Sequence, residues 1–137
     1  MNTLIVIIGP TGIGKTKVAI EVAEHFNIPI INADSRQMYA EIPIGTAAPT
    51  QEQQARVKHF FVGNLHISDY YNASMFEADV MALLNDMFLE NPIALMSGGS
   101  MMYIDTVCNG IDDIPTIDDT TRKIMKERLE TEGLEAL

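Results

Sequence analysis

Apolar residues fall into two rhythms along this chain: short unbroken runs, and longer stretches in which they recur every third or fourth position. Leu4 to Ile8 are five branched apolar residues in a row, the pattern of a strand buried on both faces of a parallel sheet. From Lys15 the period changes, and Ala19, Val22, Ala23 and Phe26 recur at helical spacing and line one face. Ile28 to Ala33 form a second strand that ends at Asp34, followed by the polar loop "DSRQMYAEIPIGTAAPT".

Thr50 and Gln53 have the spacing of a capping box and open a short helix. The aromatic, non-periodic stretch "HFFVGNLHISDYYN" reads as loop with one short extended piece. Ser74 and Glu77 form a second capping box before a stripe of Phe76, Val80, Leu83, Leu84 and Met87, on a helix that ends before Asn91-Pro92. Ile93 to Met96 are another buried strand. Two glycines turn it into a helix that stops at Asn109-Gly110. A last helix spans about Thr120 to Thr131, with Ile124, Met125 and Leu129 facing inward.

Three strands, each followed by a turn and a helix, predict an α/β fold with a parallel sheet and flanking helices, arranged as in P-loop NTPases. The turns after the strands then share one edge, which gathers Lys15, Asp34 and Ser100 around one cleft. No repeat, low-complexity tract or linker interrupts the chain.

The first of those turns carries the clearest chemistry. "GPTGIGKT" is a complete G-x-x-x-x-G-K-[ST] loop made of Gly9, Pro10, Thr11, Gly12, Ile13, Gly14, Lys15 and Thr16, placed between strand and helix. Its glycines let successive N–H groups point inward, and the helix behind adds its partial positive charge. Lys15 is placed for a terminal phosphate and Thr16 for a magnesium ion. The loop is of the nucleotide-binding and ATP-binding kind, yet by itself leaves ATP, GTP and a plain diphosphate open as guests.

Length, composition and charge narrow the class. A chain of 137 residues with 47% apolar content is one ordinary domain with a real core. The N-terminus has no basic leader and its apolar run lasts five residues, so neither a signal peptide nor a membrane span is expected. The single cysteine, Cys108, excludes an internal disulfide, is expected to pack within its helix, and points to a reducing cytoplasm. The net charge of −10 has the wrong sign for a surface that grips nucleic acid by its phosphates.

Taken together, "GPTGIGKT", "NADSRQMY", "IGTAAPT", "HF", "SGGSMMYI" and "GIDDIPTIDDTTR" resemble, in order and spacing, the tRNA dimethylallyltransferases, over the whole chain. The resemblance implies transfer of a five-carbon group from dimethylallyl diphosphate to the exocyclic amine of the adenosine 3' to the anticodon. The glycine loop, Thr11 and Gly12 to Thr16 in particular, would hold the diphosphate with magnesium on Thr16. Lys15 would stabilise the departing pyrophosphate. Asp34 would be the general base; as residues alone it also fits a magnesium ligand or a helix cap.

Ser35, Arg36 and Gln37 would meet the anticodon stem-loop with Asp34 and Ser100. Ser100 stands where the family usually has threonine, and would bond the target nucleotide or else cap its helix. His59 falls where the family has a His-His pair whose first member is Lys58 here, and is read as structural. Family members continue past the last helix into a helical tRNA-binding insert and the rest of the core, so residues 1–137 are expected to be the N-terminal part of such a protein. That explains the acidic balance, and it predicts imperfect folding or self-association and little transfer activity for these residues alone. The competing readings are a small-molecule kinase of nucleotide or shikimate type, and an inactive phosphate-binding module. Oligomeric state is not legible.

Overall fold

In the computed structural model, which describes residues 1–112 and 117–136, four parallel strands form one sheet. They are β1 (Thr3–Ile8), β2 (Ile30–Asn32), β3 (His59–Phe60) and β4 (Ile93–Gly98), in the order β1-β4-β2-β3. Five helices accompany them: α1 (Lys15–Phe26), α2 (Gln51–Arg56), α3 (Ala73–Glu90), α4 (Met101–Asn109) and α5 (Asp119–Glu132). Part of the "GIDDIPTIDDTTR" motif, including Pro115 and Thr116, lies outside the described residues.

Side chains alternate across the sheet and so sort the core into two layers. Ile30 and Leu95 point to one face, where they meet Ala19, Ile20 and Ala23 of α1. Ile31, Ala94 and Met96 point to the other, against Phe76, Val80 and Leu84 of α3 and Ile104 and Val107 of α4. The expected stripe on α3 is therefore its buried face, with Phe76 and Val80 fully enclosed and Leu83 and Met87 at the margin. The capping box at Thr50 forms in both directions, Thr50 Oγ accepting from the Gln53 amide and Gln53 accepting from the Thr50 amide.

Several sequence-based expectations need correction. β1 is an edge strand among the described residues, half-buried rather than enclosed on both faces. α1 covers one side of it, but no strand pairs with its outer edge, and Ile8 is exposed. β2 is shorter than Ile28 to Ala33 because Ile28 closes α1: its amide bonds to the Ala23 carbonyl after Asn27 turns left-handed at φ 53°. α3 is capped by Asn72, whose side chain accepts from the Met75 amide, so Ser74 lies inside the helix. α5 occurs as expected but buries nothing. Ile124, Met125 and Leu129 are exposed, and the helix packs against the final turn Leu134–Ala136. Cys108 is also exposed, because Ile104 and Val107 take the core-facing positions of α4.

Candidate functional site

All strands are parallel, so the turns that follow β1, β2 and β4 emerge at one edge. The strand order refines what this brings together. β4 lies between β1 and β2, so Asp34 stands two strands from the phosphate loop and not on the strand next to it. The glycine turn after β4 fills the gap. A methyl group on Gly98 would fall onto the Ala33 carbonyl, far inside contact distance. One on Gly99 would sit 3.3 Å from the Gly9 carbonyl and 3.7 Å from Asp34 Oδ2. The glycines at this turn are what allow the first and second turns to approach.

The phosphate loop is an open structure. Gly12 and Gly14 have φ of 84° and 98°, in the left-handed region that favours glycine. Gly14 is the N-cap of α1 and has no side chain to offer its first amides. Lys15 Nζ donates to the Pro10 carbonyl of its own loop at 2.7 Å. Thr11, Gly12, Gly14, Lys15 and Thr16 line a cavity of about 230 Å³. Pro10 and the exposed side chain of Ile13 shape the loop without lining it.

The opposite wall is held from within. Asp34 is buried, and its Oδ1 accepts from the Arg36 amide at 3.1 Å. Ser100 Oγ accepts from the Ser35 amide at 2.8 Å and donates to Ser35 Oγ at 3.1 Å. Its own amide donates to the Ala33 carbonyl. Ser100 therefore does not cap α4 with its side chain, and instead ties the turn after β4 to the turn after β2. The Gln37 side-chain amide donates to the carbonyls of Thr46 and Ala47, which brings the "IGTAAPT" loop over the cavity. Arg36 is exposed.

Lys15, Thr16, Asp34 and Gln37 share the cavity, while Ser35, Arg36 and Ser100 stand outside its lining. Sequence reasoning missed eight of its residues: Ala19, Ile30, Asn32, Ala47, Pro49, His59, Ser97 and Gly98. Asn32 was legible in principle, since alternation along β2 puts it on the same face as Asp34. His59 was not, because its place depends on β3 pairing with β2 in parallel register, Ile30 opposite His59. Its Nδ1–H donates to the Val57 carbonyl at 2.8 Å, and burial holds its pKa below the ordinary imidazole value. A larger hollow of about 630 Å³ lies at the other end of the strands, and the pair Glu24–Arg56 closes part of its rim. It contains none of the loop chemistry.

A parallel sheet with flanking helices, a glycine loop at its first turn and a buried carboxylate across a small cavity defines an α/β protein with its candidate site at the carboxyl edge of the strands. The IPP transferase family model matches residues 37–137. The tRNA dimethylallyltransferase 1 of Phocaeicola vulgatus is 57% identical over 136 residues, which is 99% of this chain and 45% of that protein. The tRNA dimethylallyltransferase 2 of Parabacteroides distasonis is 57% identical over 134 residues. Among solved structures, the tRNA isopentenylpyrophosphate transferase of Bacillus halodurans superposes with a TM-score of 0.78 at 26% identity, over 99% of this chain and 45% of that one. A eukaryotic dimethylallyltransferase acting on tRNA also gives 0.78, at 28% identity over 92% of this chain and 32% of its own.

The chain belongs to the IPP transferase family. It spans about 45% of the length of the curated relatives it matches. The family model begins at Gln37, after the phosphate loop and Asp34; the whole-chain relatives extend the likeness across both.

Proposed function

We propose that these residues form the donor-binding part of an enzyme that transfers a dimethylallyl group from dimethylallyl diphosphate to the exocyclic amine of the adenosine 3' to the anticodon in tRNA. The observation that carries this reading is the shared cavity, in which the phosphate loop with Lys15 faces the buried carboxylate of Asp34. A phosphate site opposite a carboxylate suits a reaction in which one anion leaves as a proton is removed. An amine of adenine has its lone pair delocalised into the ring, so it needs both a base and a good leaving group.

In this scheme the loop amides and Lys15 hold the diphosphate. As the carbon–oxygen bond breaks, its electron pair stays on pyrophosphate, and the adenine nitrogen bonds to the allylic carbon. Asp34 takes the proton from that nitrogen. Magnesium, when bound, would neutralise charge on the diphosphate, with Thr16 its hydroxyl ligand. Thr16 lines the cavity on the loop side, as such a hard oxygen donor should. Ser35, Arg36 and Gln37 on the rim are assigned to the anticodon stem-loop, whose base must leave its stack to reach Asp34. Ser100 acts on that nucleotide through the Ser35 turn it holds. No helix among the described residues is long and apolar enough to cross a membrane, and the cytoplasm, where tRNA is modified, is the proposed location.

The test is a graft. Residues 1–136 replace the matching segment of the Phocaeicola vulgatus relative, and transfer of labelled prenyl to an anticodon stem-loop is measured. Transfer that falls at least ~100-fold with Asp34→Asn, while donor binding persists, is expected for a general base. Transfer that survives the substitution unchanged would contradict the assignment.

A further inference from the structure

Ser97 lies near the end of β4, in register with Ile7 of β1 on one side and Asn32 of β2 on the other. Alternation puts these three on the face that Leu95 and Ile30 turn toward α1. The cavity opens on that face, since Ala19, Ile30, Asn32 and Ser97 line it together with Lys15 and Thr16. Two residues nearer the start of each strand, Ile5, Leu95 and Ile30 are apolar and packed under α1. At the level of Ser97 and Asn32 the floor turns polar.

Both polar residues are more than nine-tenths buried, Asn32 at 5% exposure and Ser97 at 7%. Their hydrogen bonding differs. Asn32 Nδ2 donates to the Phe61 carbonyl at 3.0 Å, which gives its amide a structural task. The Ser97 carbonyl accepts from the Ala33 amide, but among the described residues the Ser97 hydroxyl has no hydrogen-bond partner. No side-chain nitrogen or oxygen cut off from solvent among those residues lacks a partner, so the unpaired Ser97 Oγ keeps accessible surface. The little surface this residue has opens into the cavity it lines. A hydroxyl desolvated to this degree without a protein partner costs stability and calls for an acceptor from outside.

Position says what the acceptor is. β4 lies between β1, which leads into the glycine loop, and β2, which leads to Asp34, so Ser97 is on the floor between the anion side and the carboxylate. Asp34 spends Oδ1 on the Arg36 amide and makes no bond to Ser97. A hydrocarbon tail has nothing to accept with, whereas the oxygens of an ionised diphosphate can only accept.

Resting on the donor-site reading above, we propose that Ser97 is a donor-binding residue outside the glycine-loop motif: its Oγ–H donates to an oxygen of the diphosphate, from the sheet floor between the loop amides and Asp34. A bond to a charged oxygen is stronger than one between neutral groups, and this one fixes the diphosphate from a second direction.

The test is calorimetric titration of the chain, with magnesium, by inorganic pyrophosphate and by dimethylallyl diphosphate, for the native protein, Ser97→Ala, Ser97→Thr and Lys15→Ala, with the urea midpoint of each. Ser97→Ala is expected to weaken both ligands by about tenfold while its midpoint stays at or above the native one, because the hydroxyl holds nothing within the protein. Ser97→Thr, which keeps the hydroxyl, should keep most of the affinity. Native affinity for pyrophosphate in Ser97→Ala overturns the inference, and so does a lowered midpoint there, which would make the hydroxyl structural. A loss confined to dimethylallyl diphosphate also overturns it, since the contact would then be with the tail. In each of these cases, binding by the native protein that Lys15→Ala loses leaves the donor site standing. Binding of neither ligand by the native protein would remove the donor-site reading itself, and this inference with it.

Discussion

The two sides of the cavity are built in opposite ways. The first loop is held mainly by its own backbone conformation: glycines in left-handed geometry and an uncapped helix start, with one side-chain bond, from Lys15 to a carbonyl of the same loop. The Asp34 side is cross-linked, with Ser100 holding Ser35, the Arg36 amide holding Asp34, and Gln37 holding the loop above. The difference bears on the tasks proposed for them, since a carboxylate that is to meet one proton is better fixed in advance.

The sharpest way to break the comparison is at the joint between the two sides. Gly98→Ala would drive a methyl into the Ala33 backbone, where no side chain can move aside. We expect a loss of more than about 3 kcal/mol, visible as a collapsed urea midpoint, because strands β4 and β2 must separate. A midpoint within experimental scatter of the native one would show that the close approach is not required.

A smaller effect follows from removing one cross-link. Ser100→Ala leaves the Ser35 amide without its acceptor, and should cost about 1 kcal/mol with diphosphate affinity unaltered. Ser100→Thr should recover most of it. If Ser100→Ala instead abolishes diphosphate binding and leaves stability untouched, the serine belongs to the phosphate side and the contrast fails.

The smallest effect concerns the outer support of the same wall. His66 Nδ1 meets Glu41 at 2.9 Å, and this pair clips the loop after β2 to the segment that follows β3. Its partner raises His66 above the ordinary value of 6.5, and lowers Glu41 below 4.5. The contribution from His66 is therefore complete below pH 6.5 and lost as pH rises through its raised value. Glu41 contributes above pH 4.5 and loses that as pH falls through its lowered value. An NMR titration should place His66 above 6.5 and His59, lowered by burial, below it. Glu41→Gln should return His66 alone toward 6.5; unchanged titration in that variant would mean that the pair does not form.

Much of this was legible in the sequence, for physical reasons that differ by element. The first turn could be read residue by residue because phosphate loops need glycine, lysine and a hydroxyl at fixed spacing. α3 could be read because its apolar stripe follows the helical period into the core. Strand order could not, since it is set by which strands pair across long separations, and so the place of β4 between β1 and the strand that carries Asp34 had to come from the structure. α5 exposes the opposite weakness. Periodic Ile124, Met125 and Leu129 describe an amphipathic helix, but periodicity does not say whether anything packs against it. In the site, Lys15, Thr16 and Asp34 come from local motifs, whereas His59 enters through tertiary pairing of a two-residue strand.

The central claim is that the open side of the cavity is a diphosphate site for a prenyl donor. Its most direct test is a calorimetric titration of the native chain, with magnesium, by dimethylallyl diphosphate and separately by ATP, beside Lys15→Ala. The account predicts binding of the prenyl diphosphate in preference to ATP, and affinity reduced ~100-fold or more in Lys15→Ala without loss of fold. Preference for ATP, or equal binding by the Lys15→Ala protein, would contradict it.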